Sequence, residues 1–265
     1  MQHFSMFFSR RLTKRNKKTY NVGMNQQTII SPVAYIRSDF KEKFGIPRQS
    51  GRAPSLTAEI VFLPEYACEE AIKSIEGFSH LWILFDFSKT REKGWSPTVR
   101  PPRLGGNERV GVFASRSPFR PNHIGLSCVR LIGVRKQAGT LSLLVSGADL
   151  LDGTPVFDIK PYLPFADCVP QATGGYATAH ENEKLDVYFP EDLLLKIAPE
   201  KRQGLIECLA DDPRPSYQDD CNRIYGMRFA DYEIKFRVEK GQLTVVRLET
   251  VDNSKKGGVY YTYDT

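Results

Sequence analysis

Apolar and polar positions alternate along this chain in short runs separated by proline, glycine and small polar residues. That pattern belongs to strands that bury one face. Thr28–Arg37 (TIISPVAYIR) is β-rich and broken by Pro32, which predicts a first strand with an irregular edge. Leu56–Leu63 alternates toward a second strand, and Tyr66–Ile75 (YACEEAIKSI) has helical spacing of Ala67, Ala71, Ile72 and Ile75. Behind Gly77-Phe78-Ser79-His80 runs LWILFDF, a continuous apolar and aromatic stretch of the kind a fully buried strand presents. Ile124–Val134 and Leu141–Ser146 predict a hairpin about Lys136–Thr140, and a turn over Asp149–Pro155 leads into a strand at Val156–Ile159.

The pattern then changes. Residues 168–184 are polar, contain Gly174 and Gly175, and show no period, which reads as a linker or long loop. Pro190–Ala198 and Glu200–Ala210 are helix-like, with Leu193, Leu194, Ile197, Leu205, Ile206 and Leu209 in helical register. The run DDPRPSY stops the second helix, and two strands follow, over 224–238 with an interruption and over Leu243–Leu248. Many short strands with one good helix predict a mainly β protein. Its divisions are a barrel or sandwich over 25–167, a linker over 168–184, a small α+β unit over 185–250, and a poorly ordered tail over 251–265.

Charge alters the reading of the first residues. The chain carries a formal net charge of +6, but residues 1–24 hold Arg10, Arg11, Lys14, Arg15, Lys17 and Lys18 and no acid. Removing those six from the 37 bases leaves 31 bases against 31 acids, so the body is formally neutral. Any pull on nucleic acid must then come from a local patch. The segment 1–24 admits a basic tail, a transit-like peptide, or translated sequence upstream of the start. Its FSMFF patch is too short for a signal peptide, and Met24 precedes the first strand-like run, which favours a mis-start or a disordered tail. Hydrophobic content of 41% and charged content of 26% fit a soluble globular protein, and no apolar run reaches the ~20 residues of a membrane span. Cys68, Cys128, Cys168, Cys208 and Cys221 form no CxxC pair and are odd in number, which argues against a zinc site or disulfide framework and for a reducing cytoplasm.

The candidate chemistry concentrates in Gly94–Gly125, where Arg100, Arg103, Arg109, Arg116 and Arg120 stand among five prolines and five glycines with only Glu108 opposing them. The stretch predicts a structured loop around one short strand, Val110–Ala114. Arginines fixed on a shaped loop suit a planar or phosphorylated ligand; the alternative is a surface loop with solvated arginines. No G-x-G-x-x-G or Walker spacing occurs, which sets aside an ordinary nucleotide-binding α/β domain. Pro47-Arg48-Gln49 offers an arginine and an amide behind a rigid residue, or only an exposed turn. His80 stands at the mouth of its strand as a ligand or a satisfied structural residue. Asp149 and Asp152 suit a ribose or an ammonium, or cap a turn. In DDPRPSY a carboxylate, a guanidinium and a phenol can orient an RNA base or phosphate and accept a proton, or the prolines merely end the helix.

Assembled, these motifs resemble the TrmO family, also called TsaA-like or YaeB-like, over roughly Ile29 to Leu248. The resemblance rests on KEKFGIPRQSG, GFSHLWILF, GWSPTVRPPRLGG, GVFASRSPFRPNHIG, DLLDGTPVFDIKPYLPFAD and DPRPSY. It implies methylation, from S-adenosylmethionine, of the exocyclic nitrogen of threonylcarbamoyl-adenosine at tRNA position 37. It also implies a β-barrel cofactor domain and a homodimer with the cofactor near the subunit interface, beside the small C-terminal α+β domain and the lack of a metal site that the residue patterns predict. Carried over by motif, the implied cofactor contacts are Pro47, Arg48, Gln49, His80, Leu81, Arg116, Leu126 and the turn Asp149, Leu150, Leu151, Asp152. Arg103, Arg109 and Arg120 become candidates for tRNA phosphates or the substrate carboxylate, and Asp212, Arg214 and Tyr217 for the modified base and its proton. Two other classes remain open on sequence: a non-catalytic RNA-binding barrel, and a methyltransferase acting on a small molecule.

Overall fold

Six strands close on one another through main-chain hydrogen bonds. In chain order they are β1 (Ala34–Arg37), β2 (Thr57–Phe62), β3 (His80–Asp86), then β6 (Ile124–Gln137), β7 (Thr140–Ser146) and β8 (Pro155–Pro161). The pairing runs β1-β2-β7-β6-β3-β8 and returns to β1, a closed barrel in which each of these neighbours pairs antiparallel. A two-stranded ribbon of β4 (Thr98–Val99) and β5 (Val110–Gly111) is inserted between β3 and β6. This is a computed structural model, and it describes residues 28–104, 108–137, 139–180, 183–214 and 220–251. The predicted tails at 1–24 and, beyond Val251, at 252–265 lie outside the described residues. Everything below belongs to the compact unit Ser31–Thr265.

The period-2 pattern builds the barrel interior. Leu81, Ile83 and Phe85 of β3 point inward, as do Val129 and Leu131 of β6 and Leu141, Leu143 and Val145 of β7. LWILFDF is therefore not buried on both faces, because Trp82 and Leu84 on the outer face are only half-buried. The barrel wall has a single protein layer there, which restores the alternation.

A second sheet has the order β10-β11-β12-β9, from β10 (Tyr225–Phe229), β11 (Tyr232–Glu239), β12 (Gln242–Thr250) and β9 (Asp186–Tyr188). The helices are α1 (Pro164–Asp167), α2 (Glu191–Leu194) and α3 (Pro199–Ala210). Gly204, Leu205, Cys208 and Leu209 of α3 are buried, a spacing that presents one stripe to a core.

The second core takes part of its substance from the loop between β1 and β2. Phe40, Ala53 and Leu56 are buried in one cluster with Leu205, Leu209, Met227, Phe229, Ile234 and Phe236. Phe40 meets Phe229 edge to face at 5.7 Å between ring centroids. Gly45, at φ +94, lets the loop backbone pass where a Cβ would stand 2.2 Å from the Met227 sulfur. Polar bonds reinforce the join: Ser55 N–H and Oγ donate to Glu207 at 2.8 and 2.7 Å, and Lys201 Nζ meets Asp39 at 2.6 Å.

Several expected elements differ. Thr28–Arg37 yields a strand only from Ala34, beyond the interruption at Pro32. Tyr66–Ile75 is not one helix but part of three 3-10 turns, Pro64–Tyr66, Glu70–Ile72 and Ile75–Gly77. Ser74 sits at φ 68, which ends any right-handed run, and only Ile72 is buried, with Ala67 and Ile75 partly so. Val110–Ala114 splits into β5 and a 3-10 turn, Val112–Ala114. Pro190–Ala198 keeps one α-turn, Glu191–Leu194. Within the predicted linker, Gly175–His180 forms a 3-10 helix, and the three-residue β9 follows it unforeseen.

Replacing Phe40, which is 2% exposed, by alanine should cost about 3–5 kcal/mol of unfolding free energy in a urea titration. A loss under about 1 kcal/mol would show that the loop lies on the second core rather than in it.

Candidate functional site at the seam of the two cores

The β1–β2 loop that enters the second core also faces the arginine-rich insertion and the turn after β7. Its residues 47–50 occupy the place beside β6 where β7 has ended. There the Cys128 N–H donates to Ser50 Oγ at 3.2 Å, and Ser127 Oγ donates to Asp149 Oδ1 at 2.6 Å.

From that position a chain of polar contacts crosses the seam. Arg116 Nη1 donates to Gln49 Oε1 at 2.6 Å, and Gln49 Nε2 donates to the Arg48 carbonyl at 2.6 Å. Arg48 Nη2 donates to the carbonyls of Asp212 at 3.2 Å and Arg214 at 2.7 Å. Arg214 grips the Asp212 carboxylate with Nε and Nη2, both at 2.9 Å. Asp212 holds a left-handed backbone, φ 48, which its short polar side chain tolerates better than most. Pro213 follows this turn directly, behind the end of α3.

Asp149 is a carboxyl of the seam whose titration is perturbed. Burial raises its pKa above the ordinary value; the Ser127 hydroxyl, backbone N–H groups and the Arg116 guanidinium pull it back down without cancelling that. A cleft of about 220 Å3 reaches the same turn, lined by Lys43, Phe85, Phe87, Pro118, Asp149 and Leu151. Burial, with Lys93 and Lys89 nearby, lowers the pKa of Lys43. A largely apolar cleft that is also lined by Asp86, Asp149 and two lysines, with the Arg116 guanidinium near Asp149, suits an amphiphilic zwitterion that carries a planar base.

The implied cofactor contacts do not all converge. Pro47, Arg48, Gln49, Arg116 and Asp149 come together as described. Asp152 instead accepts from Ser38 N–H at 3.0 Å and Lys41 Nζ at 2.8 Å, tying down the start of the loop. Leu150 is buried in the barrel core and Leu151 packs on the second one, so neither side chain is displayed for a ligand except at the cleft wall. Leu81 points into the barrel, fully buried. His80 and Leu126 share the outer face, but Leu126 pairs with Leu84, four residues along β3 from His80. That is about 13 Å at ~3.3 Å per residue. His80 belongs to a separate aromatic group, 6.2 Å from the Tyr162 ring, which lies 5.7 Å from Trp82.

The candidate RNA arginines are partly engaged inside their own loop. Arg109 donates to Thr98 Oγ1 at 2.8 Å and to the Thr98 carbonyl at 3.2 Å. Arg120 donates to the carbonyls of Val112 and Ser115 at 3.2 and 2.7 Å and lies over the Phe113 ring. The Arg103 side chain, Gly105-Gly106 and Tyr217 are outside the described residues. Three participants escaped the sequence reading: Ser127, Arg52 and Asp211. Only the second arginine of RQSGR and the doubled acid of DDPRPSY hinted at the last two.

Fold and site together define a mainly β protein whose one polar seam joins a closed barrel to a second sheet, without the parallel α/β sheet of most nucleotide binders. The chain belongs to the TrmO family: residues 35–168 match the tRNA-methyltransferase O N-terminal domain and residues 182–251 the TrmO C-terminal domain. It is 44% identical over 225 residues to a tRNA (adenine(37)-N6)-methyltransferase of Escherichia coli K12, covering 82% of this chain and 96% of that one. A protein of the same description from Eikenella corrodens is 47% identical over 66% of this chain and 99% of its own. The crystal structure of TrmO from Pseudomonas aeruginosa superposes with a TM-score of 0.67 at 37% identity, covering 84% of this chain and all of that one. Among the described residues no helix is long and apolar enough to cross a membrane, and no group of three His, Cys, Asp or Glu could hold a metal ion.

The raised pKa of Asp149 has a consequence for stability. Above its ordinary value of 3.8 the native state still holds a proton that the unfolded chain has released, so stability falls as pH rises through that window. Asp149→Asn lacks this titration. Urea unfolding of both proteins from about pH 4 to about pH 7 should therefore move the free-energy difference against the wild type as pH rises. A difference flat with pH would place Asp149 in a solvent-like setting.

Proposed function

We propose that this protein transfers a methyl group from S-adenosylmethionine to the exocyclic N6 of adenine 37 in tRNA, and that the adenine carries a threonylcarbamoyl group. The observation that carries this is the continuous contact chain from Arg116 and Gln49 through Arg48 to Asp212 and Arg214, within a chain that matches both TrmO domains. The barrel with its cleft serves as the cofactor domain and the sheet of β9–β12 as its partner domain, the division running through residues 168–184. A homodimer in the cytoplasm, with the tRNA anticodon loop as macromolecular partner, completes the reading.

The residues fit the cofactor on its chemistry. Arg116 answers its carboxylate, Asp149 its ammonium or ribose, and the apolar cleft wall its adenine. His80 and the backbone at Leu81, Leu126 and Asp152 are assigned to its periphery. The bound cofactor supplies an activated methyl group on a sulfonium, so the protein's task is alignment. Arg48, fixed at both ends, holds the donor side against the nucleoside side. The target nitrogen bears a hydrogen and is conjugated with the purine and the carbamoyl group, so it is a poor nucleophile until that hydrogen leaves. Asp212 or the Tyr217 oxygen takes the proton as attack proceeds, and Arg214 keeps the Asp212 carboxylate oriented. Arg103, Arg109 and Arg120 face the phosphates of a splayed loop, with Arg109 and Arg120 held by their own backbone contacts.

Purified protein, S-adenosylmethionine and tRNA bearing threonylcarbamoyl-adenosine should yield the N6-methylated nucleoside in a mass-spectrometric digest. Cofactor bound without any methylated product would leave a binding barrel and overturn the enzyme reading. Arg116→Ala should weaken cofactor binding about 10- to 100-fold in calorimetry, the worth of a charge-assisted hydrogen bond, with an unchanged circular dichroism spectrum. Wild-type affinity in that variant would remove Arg116 from the site.

A further inference from the structure

Asp211 lies one residue before the motif assigned to the substrate and has no role in the mechanism above. It is nonetheless one of the few charged residues that are buried among the described residues, 7% exposed at the end of α3. Its Oδ1 takes the Nε–H of Arg52, and its Oδ2 takes the backbone N–H of Arg48 at 3.3 Å. Arg52 Nη2 donates as well to the Glu183 carbonyl at 3.2 Å. Thus Asp211 reaches from the second sheet's side into the loop, while Arg48 reaches from the loop to the carbonyls of Asp212 and Arg214. Bonds running in both directions oppose sliding of one segment along the other, which a single contact would permit. A carboxylate buried this deeply is costly unless charged and directed partners meet it, and Arg52 is such a partner.

We propose that Asp211, clamped by Arg52, is a positioning residue that sets the spacing between the donor side, Arg48–Gln49–Arg116, and the nucleoside side, Asp212–Arg214. It touches neither reactant and acts through Arg48. The proposal rests on the methyltransferase reading. Displacement of aligned groups by about 1 Å costs on the order of 100-fold in rate, whereas each ligand on its own side keeps its contacts.

The test uses the full chain with S-adenosylmethionine and tRNA carrying threonylcarbamoyl-adenosine, comparing wild type, Asp211→Asn, Arg52→Lys and the double variant. Asp211→Asn presents an amide donor to one of two existing donors; Arg52→Lys keeps the charge but lacks the Nε–H. Each single variant should lose about 10- to 100-fold in kcat. Cofactor affinity by calorimetry and tRNA affinity by filter binding should each stay within about threefold, and the double variant should be no slower than the worse single one, as for groups that act as a unit. A kcat within about twofold of wild type in both singles overturns the clamp, even if the melting temperature falls, since that is the mark of a purely structural pair. A kcat loss matched by an equal loss of cofactor affinity also overturns it, by making the pair part of the ligand site. If Asp211→Asn does not fold, Arg52→Lys decides by the same criteria. A wild type that methylates nothing fails at the earlier step and removes the methyltransferase reading together with the clamp's role.

Discussion

The burial of Phe40, Ala53 and Leu56 in a core that is not the barrel's own governs the rest of this molecule. The barrel closes through its six strands alone, but the loop leaving β1 buries Phe40, Ala53 and Leu56 in the other cluster. It is ordered by the second sheet and α3. Once Phe40 and Leu56 are fixed there, the intervening residues Pro47–Ser50 can be held beside β6, and the polar seam exists. The site is thus a by-product of hydrophobic packing on either side of it.

That arrangement changes the meaning of the arginine-rich insertion. In a body with equal numbers of acids and bases, a local set of cations has to be held in place to act, because loose cations in water contribute little. Arg109 and Arg120 bind carbonyls of their own loop, which stiffens a segment otherwise dominated by proline and glycine. Arg116 turns the other way, to Gln49. One loop therefore holds Arg109 and Arg120 on its own backbone and sends the still-exposed Arg116 guanidinium to Gln49, so these contacts do not compete for the same side chain.

Much of this was legible in the chain. Alternation placed β2, a continuous apolar run placed β3 although only one of its faces is buried, and the runs flanking turn signals placed the β6–β7 hairpin and β8 within a few residues. Helical register gave α3, whose buried stripe is long enough to dominate. Residues 66–75 misled because four apolar positions match a helical period, while Ser74 and local burial decide otherwise. β9 has three residues and gains its pairing from β12, more than fifty positions later, so nothing local marks it. In the site, the long motifs identified the family and most of the polar seam. They did not separate Leu81 or Leu150, whose side chains serve the barrel core, from neighbours that face outward. They also passed over Arg52 and Asp211, because an ion pair between residues so distant in sequence has no local signature.

The shared core also bears on how the chain comes into being. A nascent chain emerges N-terminus first, so the barrel strands are complete well before β10–β12 exist outside the ribosome. Phe40, Phe44 and Leu56 must wait for Met227, Phe229 and Phe236, roughly 190 residues later, which at ~5–20 residues per second is about 10–40 s of synthesis. From the end of β8 at Pro161 to the start of β10 at Tyr225, about 64 residues or ~3–13 s of synthesis, a complete set of barrel strands carries a loop of unsatisfied aromatic and aliphatic side chains. The loop that carries the polar seam is, during translation, a segment whose core partners have yet to be made.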